Sequence, residues 1–255
     1  MIGILLALLV GGQLVVNPPA PANDMARRTA YHHYVRGQEF LQSELYDKAV
    51  NEFQNAIKND RLFTDAHYSL GQAYMGLQRY ASAIQSYERC LDAARTIFSM
   101  REQNRARTDQ LITDQLRALR EALAQAAKMS VGQRAAVLGI ESRIRELERS
   151  KSGLVNRFEP PAQVLFALGS AYYRNGDAIT ARERWELAVK SDPKLGEAWN
   201  NLAVVYMQSG RRQDAEEAVR NAEKNGFRVN PQLKEDIKLI PTGFQYRSEP
   251  AAGDR

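Results

Sequence analysis

A spacing of 34 residues recurs along this chain and constrains its fold more than any other feature. Gly37 and Gly71 are 34 apart, as are Phe40 and Tyr74, Ala49 and Ala83, and Phe53 and Tyr87. Farther on, Gly169 and Ala203, Tyr172 and Tyr206, and Ala181 and Ala215 repeat the period. Four units follow, at about 30–63, 64–97, 162–195 and 196–229. A unit this short cannot bury its apolar face alone, so units at a fixed period stack into a continuous core.

Each unit reads as two amphipathic helices joined by a tight turn. Leu165, Leu168, Gly169 and Tyr172 form one stripe at helical spacing. Asn175-Gly176-Asp177 ends that helix, because glycine takes the left-handed geometry that closes a helix C-terminus. A second helix carries Ala181, Trp185 and Ala188, and Pro193 stops it for lack of an amide donor.

At these residues the chain resembles the tetratricopeptide repeat family. The run Leu165-x-x-Leu168-Gly169-x-x-Tyr172…Ala181-x-x-x-Trp185…Pro193 matches that family's pattern, and Trp199-x-x-Leu202-Ala203-x-x-Tyr206…Ala215 nearly does. Ala203 in place of glycine, Cys90 in place of alanine and Val219 in place of an aromatic depart from it. The resemblance implies an all-α solenoid of four helix-turn-helix repeats, paired as 23–97 and 162–229. After the last unit, Asn230-Pro231 opens a short helix holding Leu233, Ile237 and Ile240, read as a cap over 230–240. The stretch 241–255 reads as a disordered tail.

Between the second and third units lie 64 extra residues, 98–161. No proline occurs from Phe98 to Glu159 and no glycine before Gly132, so the second helix of unit two is expected to run on to about Lys128. Ile112, Leu116, Leu119, Leu123 and Ala126 make one heptad seam, and Val137, Ile140, Ile144 and Leu147 another. With Ser130-Val131-Gly132 as the turn, the insertion is expected to be an antiparallel coiled-coil hairpin. At ~1.5 Å per residue its arms are about 46 and 28 Å long. From Phe98 to Pro161 it carries twelve Lys/Arg against eight Asp/Glu, or +4 of the chain's +5. A solenoid interrupted in this way is also expected to unfold in steps.

Ile2–Val16 is an apolar run broken only by Gln13, too short for the ~20 residues that span a bilayer. With Ala20-Pro21-Ala22 as a small-x-small site, residues 1–22 read as a signal peptide or a short membrane anchor. The protein is then exported, periplasmic or secreted, and touches a membrane only through this segment. Translation from Met25 would instead leave it cytoplasmic.

The residues that carry chemistry elsewhere do not assemble here. One cysteine and three histidines exclude a disulfide framework and a multi-cysteine metal centre, and no phosphate loop, nucleophile elbow or His-Glu-x-x-His occurs. His33 and His67 occupy the site of Trp199 in unit four, and Cys90 that of a small alanine, so all three read as packing residues. No catalytic residue, metal or cofactor is expected.

Function is expected instead on the first helix of each unit, which in the family lines a concave groove for a peptide or partner helix. Residue by residue, the inward positions are Tyr34, Tyr68, Phe166 and Asn200, then Gln38, Gln72, Ser170 and Val204, then Leu41, Met75, Tyr173 and Met207, flanked by Arg174 and Asn201. Aromatics, methionine and amides suit a groove that takes a protein segment. The family's carboxylate-gripping version places Lys and Asn where Tyr34, Gln38 and Ser69 stand, and repeats three and four offer Phe166 and Ser170, with Asn201 the single match. The leading reading is a non-enzymatic adaptor in the cell envelope. Its rivals are a structural protein that self-associates through the hairpin and, against the diluted charge, a nucleic-acid binder.

Overall fold

The computed structural model describes residues 8–10, 13–15, 21–126, 134–151 and 157–241. Near the start, strands β1 (Leu8–Val10) and β2 (Gln13–Val15) pair antiparallel, with Leu9 opposite Leu14. The rest of the expected signal segment, the hairpin turn at 130–132 and the chain from 242 onward lie outside the described residues. No described helix is long and apolar enough to cross a membrane.

The helices are α1 (Asp24–Gln42), α2 (Tyr46–Asn59), α3 (Thr64–Gly76), α4 (Tyr80–Ala126), α5 (Arg134–Ser150), α6 (Ala162–Arg174), α7 (Ala178–Ser191), α8 (Gly196–Gln208), α9 (Arg212–Lys224) and α10 (Pro231–Lys238). They fall into two compact units, one of Met1–Ala94 with Glu159–Arg255 and one of Arg95–Phe158. The first holds the four repeats as α1–α2, α3 with the start of α4, α6–α7 and α8–α9.

All four repeats turn their first helix into their second by one device. In repeat one the amide of Glu44 donates to Leu41 O and that of Leu45 to Phe40 O. The pairs Gln78/Arg79, Gly176/Asp177 and Gly210/Arg211 repeat those bonds, which satisfy carbonyls the helix end leaves open. The residue at the bend is left-handed each time, at φ 56° for Glu44, 58° for Gln78, 91° for Gly176 and 69° for Gly210. Repeats one and two therefore hold a side chain in a conformation that favours glycine.

The two helices of a repeat close on a glycine facing an aromatic ring. A Cβ added at Gly37 would stand 2.5 Å from the Phe53 ring, and one at Gly169 2.7 Å from Trp185; Gly71 faces Tyr87 in the same way. Repeat four has Ala203 and Val219 at these positions, both buried. The smaller partner leaves room for the extra methyl, so the two departures from the family pattern compensate each other.

The stack is continuous across the insertion. Val164, Leu168 and Ala171 of α6 pack with Ala83, Ile84, Tyr87 and Cys90 of α4, and all seven are buried. The two repeat pairs thus share buried packing across this junction. At the far end Val229, Leu233 and Ile237 join the core of repeats three and four, so α10 covers the last apolar face. The opposite end is closed by polarity. Where α3, α6 and α8 bury Leu70, Leu168 and Leu202, and Ala73, Ala171 and Val205, α1 has Arg36 and Glu39, both exposed.

In the second unit, Leu116 of α4 and Ile144 and Leu147 of α5 are buried together, with Ile112, Leu119, Leu123 and Ile140 packed around them. The unit starts three residues before the expected boundary. Phe98 packs its ring 5.6 Å from Phe158, and the Arg95 guanidinium lies 5.6 Å from the same ring.

Candidate functional site

Twelve of the residues expected in a groove stand at equivalent positions on α1, α3, α6 and α8, in one stripe at i, i+4 and i+7, and Arg174 and Asn201 flank it. Eight of them, Leu41 and Val204 included, are half-buried apolar or aromatic side chains seated on the core. Tyr34 lies 6.0 Å from Phe53 and 5.0 Å from Phe63, Tyr68 5.6 Å from Tyr87, and Tyr173 5.6 Å from Trp185. Met75, Phe166 and Met207 pack on the same cores. These side chains are structural as well as accessible, and truncating them would disturb the repeats.

The polar members divide into two groups. Gln38 Nε2 donates to Ser69 Oγ at 2.7 Å, and Ser170 Oγ to its own helix at Phe166 O at 2.9 Å, so each has one donor engaged inside the fold. Gln208 Nε2 likewise donates to the Tyr173 hydroxyl at 3.0 Å. Gln72 and Arg174 are exposed and Asn200 and Asn201 half-exposed, and none has a side-chain hydrogen bond to the described residues. The three amides and the guanidinium of these four are wholly unengaged by the described residues.

Tyr31 belongs to the same stripe and was not among the expected residues. It is 61% exposed, with its ring 6.3 Å from Tyr34. Its position three residues before Tyr34 was a usable signal. Its equivalents Asp65, Gln163 and Glu197 are polar, which masked it.

The candidate metal and nucleophile residues are bound into the packing. His67 is 5% exposed; its Nε2 is 3.0 Å from Arg61 O and its Nδ1 has no partner. Burial pushes its pKa down, because the charged ring would lose water. His33 Nδ1 meets Glu52 Oε2 at 2.7 Å, while Arg36 Nη2 holds Glu52 Oε1 at 3.0 Å. The buried carboxylate of Glu52 thus fastens α1 to α2. Nothing periodic announces it, since its equivalents are Ser86, Arg184 and Ala218. Cys90 is buried with its thiol toward Thr64 O, and burial pushes its pKa up to about 12. Among the described residues no group of three or more His, Cys, Asp or Glu is placed to hold a metal ion.

On the second unit five of the arginines are paired with neighbouring carboxylates. Arg105, Arg117, Arg120, Arg143 and Arg145 pair with Glu102, Asp114, Glu148, Glu146 and Glu141.

Comparison with known proteins agrees with the repeats. A family model described as tetratricopeptide repeat matches residues 34–96 and 166–226. The photosystem I assembly protein Ycf3 of Rippkaea orientalis is 28% identical over 81 residues, 32% of this chain and 47% of that protein. The chain thus spans about half the length of the curated relative it matches. Among solved structures, PilF of Pseudomonas aeruginosa is 14% identical with a TM-score of 0.35, covering 82% of each chain. A thermophilic repeat protein of Thermus thermophilus is 16% identical with a TM-score of 0.34, covering 82% of this chain and 97% of that one. YrrB, described as a repeat protein with an unusual peptide-binding site, is 17% identical with a TM-score of 0.29, covering 82% and 91%.

Proposed function

We propose, from the premise that the chain belongs to the tetratricopeptide repeat family, that it is an adaptor holding a partner protein's segment on the face formed by α1, α3, α6 and α8. The fold is that of a protein–protein interaction scaffold. The observation that carries the finer reading is the set of unpaired polar side chains, Gln72, Arg174, Asn200 and Asn201, on one face among half-buried aromatics and methionines. Amides so placed hydrogen-bond the main chain of a bound segment, and the rings supply the area it buries.

The test is an in-cell crosslink and pull-down with tagged wild-type protein beside the Gln72→Ala/Asn200→Ala/Asn201→Ala variant. These side chains support no internal bond, so the variant folds, which circular dichroism confirms. A partner captured by wild type and lost from the variant is expected. The same partner captured by both would remove the groove reading.

A second reading rests on the other unit, where Leu111 and Leu138 are 58% and 59% exposed. There the hairpin self-associates, and replacing Leu111 and Leu138 with Ser changes the sedimentation behaviour while the groove variant does not. The envelope location rests on the apolar run Ile2–Val16 and is tested by N-terminal sequencing of protein from the periplasmic fraction.

A further inference from the structure

We infer that this face selects an uncharged segment, with an aromatic or aliphatic anchor at the α1 end and its main chain held by amides toward the α8 end. The inference rests on the groove reading and adds the chemistry and direction of the occupant.

Charge comes first. One residue in four of the chain is charged, yet none of the twelve groove positions that Tyr34, Gln38, Leu41 and their equivalents make up carries a charge, and of the two flanking residues only Arg174 does. Arg174 lies in the last turn of α6, at its margin. Asp65 and Glu197 stand at the outer position that Tyr31 holds in repeat one. A charged side chain laid along the middle of the face would give up water and meet no counterion. An uncharged one loses nothing there.

Direction comes from where polar capacity is left. At the α1 end Gln38 is held by Ser69, and the surface around it is carried mainly by Tyr31, Tyr34, Val35 and Leu41. The Tyr31–Tyr34–Phe63 rings step from solvent into the core at 6.3 and 5.0 Å. That is an aromatic platform whose one neighbouring amide, Gln38, is held by Ser69, and it suits a ring or branched aliphatic side chain. Toward α8 the order reverses. Asn200 and Asn201 are adjacent and free, and their three-way donors and acceptors match a peptide unit rather than an apolar anchor.

The probe is a random peptide library of about twelve residues, displayed on phage and selected on the full chain. The selected peptides are expected to lack Lys, Arg, Asp and Glu in their central residues and to share a hydrophobic cluster near one terminus. Tyr31→Ser should weaken them about tenfold, a loss matching one exposed anchor. Replacing residues of the hydrophobic cluster should weaken them for wild type but no further for Tyr31→Ser. Affinity should change little between about 0.05 and 0.5 M salt, since no ion pairs are screened. Peptides that carry central charges and dissociate with salt, or that ignore Tyr31→Ser, overturn this inference while leaving the groove in place. A library yielding no peptide that the Gln72→Ala/Asn200→Ala/Asn201→Ala variant fails to bind overturns the groove reading and this inference together.

Discussion

The Tyr172 hydroxyl donates to a Glu88 carboxylate oxygen 2.7 Å away, although 84 residues separate them in the chain. A hydrogen bond to the equivalent tyrosine hydroxyl joins the other repeats, with its direction reversed at the first junction. Gln54 Nε2 donates to the Tyr74 hydroxyl at 3.0 Å, and the Tyr206 hydroxyl to Glu186 at 2.8 Å. Each links a second helix to the first helix of the next repeat at equivalent positions. The junction interrupted by residues 98–161 is therefore built like the uninterrupted ones, and burial together with this bond pushes the Tyr172 pKa up. Tyr172→Phe should cost about 0.5–1 kcal/mol, the lower range for a hydrogen bond because Glu88 stays solvated. Trp185 and Trp199 fluorescence, reporting repeats three and four, should share one denaturant midpoint with hydrogen exchange in α2. Two separated midpoints would show that the pairs unfold independently.

Glu44 and Gln78 stand where repeats three and four have glycine. Glu44→Gly and Gln78→Gly should each stabilise the protein by about 0.5–1 kcal/mol, the relief of left-handed strain less the added freedom of the unfolded chain. Thermal melts of the two single variants and the double variant check this. A fall in melting temperature would mean the side chains make up the strain elsewhere.

The glycine–aromatic pairs make a sharper case. Gly71→Ala drives a methyl into the Tyr87 ring and should cost about 1–3 kcal/mol, as overpacking does. Adding Tyr87→Val copies the Ala203–Val219 pair of repeat four and should recover part of the loss. The double-mutant cycle in urea measures the coupling, and simple additivity would contradict the compensation.

His67 gives a pH dependence of known sign. Its folded-state pKa lies below the ordinary 6.5 of the unfolded chain. Stability is therefore full above about pH 6.5 and falls as the pH drops from there toward the depressed folded value, because only the unfolded state takes up the proton. His67→Leu, which places the residue of position 165 at this site, should flatten that slope between pH 7.5 and 5.5. An unchanged slope of urea midpoint would assign it to other groups.

Cys90, buried and with its thiol pKa pushed up to about 12, should resist a thiol reagent at pH 8 in the native protein. It should react at once in denaturant. Fast labelling of the folded chain would reveal an open repeat two.

The fold was largely legible because period carries it. A stripe of Leu165, Leu168, Gly169 and Tyr172 can bury only one face, and the absence of proline and glycine after Phe98 leaves a helix no reason to stop. The heptad residues Leu116, Ile144 and Leu147 are the ones buried in the second unit. What escaped was whatever breaks the period. Glu52 is a carboxylate at a position whose equivalents share no property. Glu44 and Gln78 read as ordinary polar residues until their φ angles are known. The continuity across α4 and α6 was hidden because 64 residues of sequence separate contacts that the fold makes adjacent. Along the proposed groove, sequence shows the period of the stripe but not which amides are already engaged. Gln38 and Gln72 are the same residue at equivalent positions, and only Gln38 has Ser69 within reach.

The charged outer face of α1 bears on how such an array can grow. A duplicated repeat placed ahead of α1 would lay an apolar helix face over Arg36 and Glu39, taking two charges out of water at several kcal/mol each. A copy inserted between α2 and α3 would meet Leu70 and Ala73, faces already made to be covered. Copy number in this architecture is therefore free to change from within and arrested at this border, with two side chains marking the first rung.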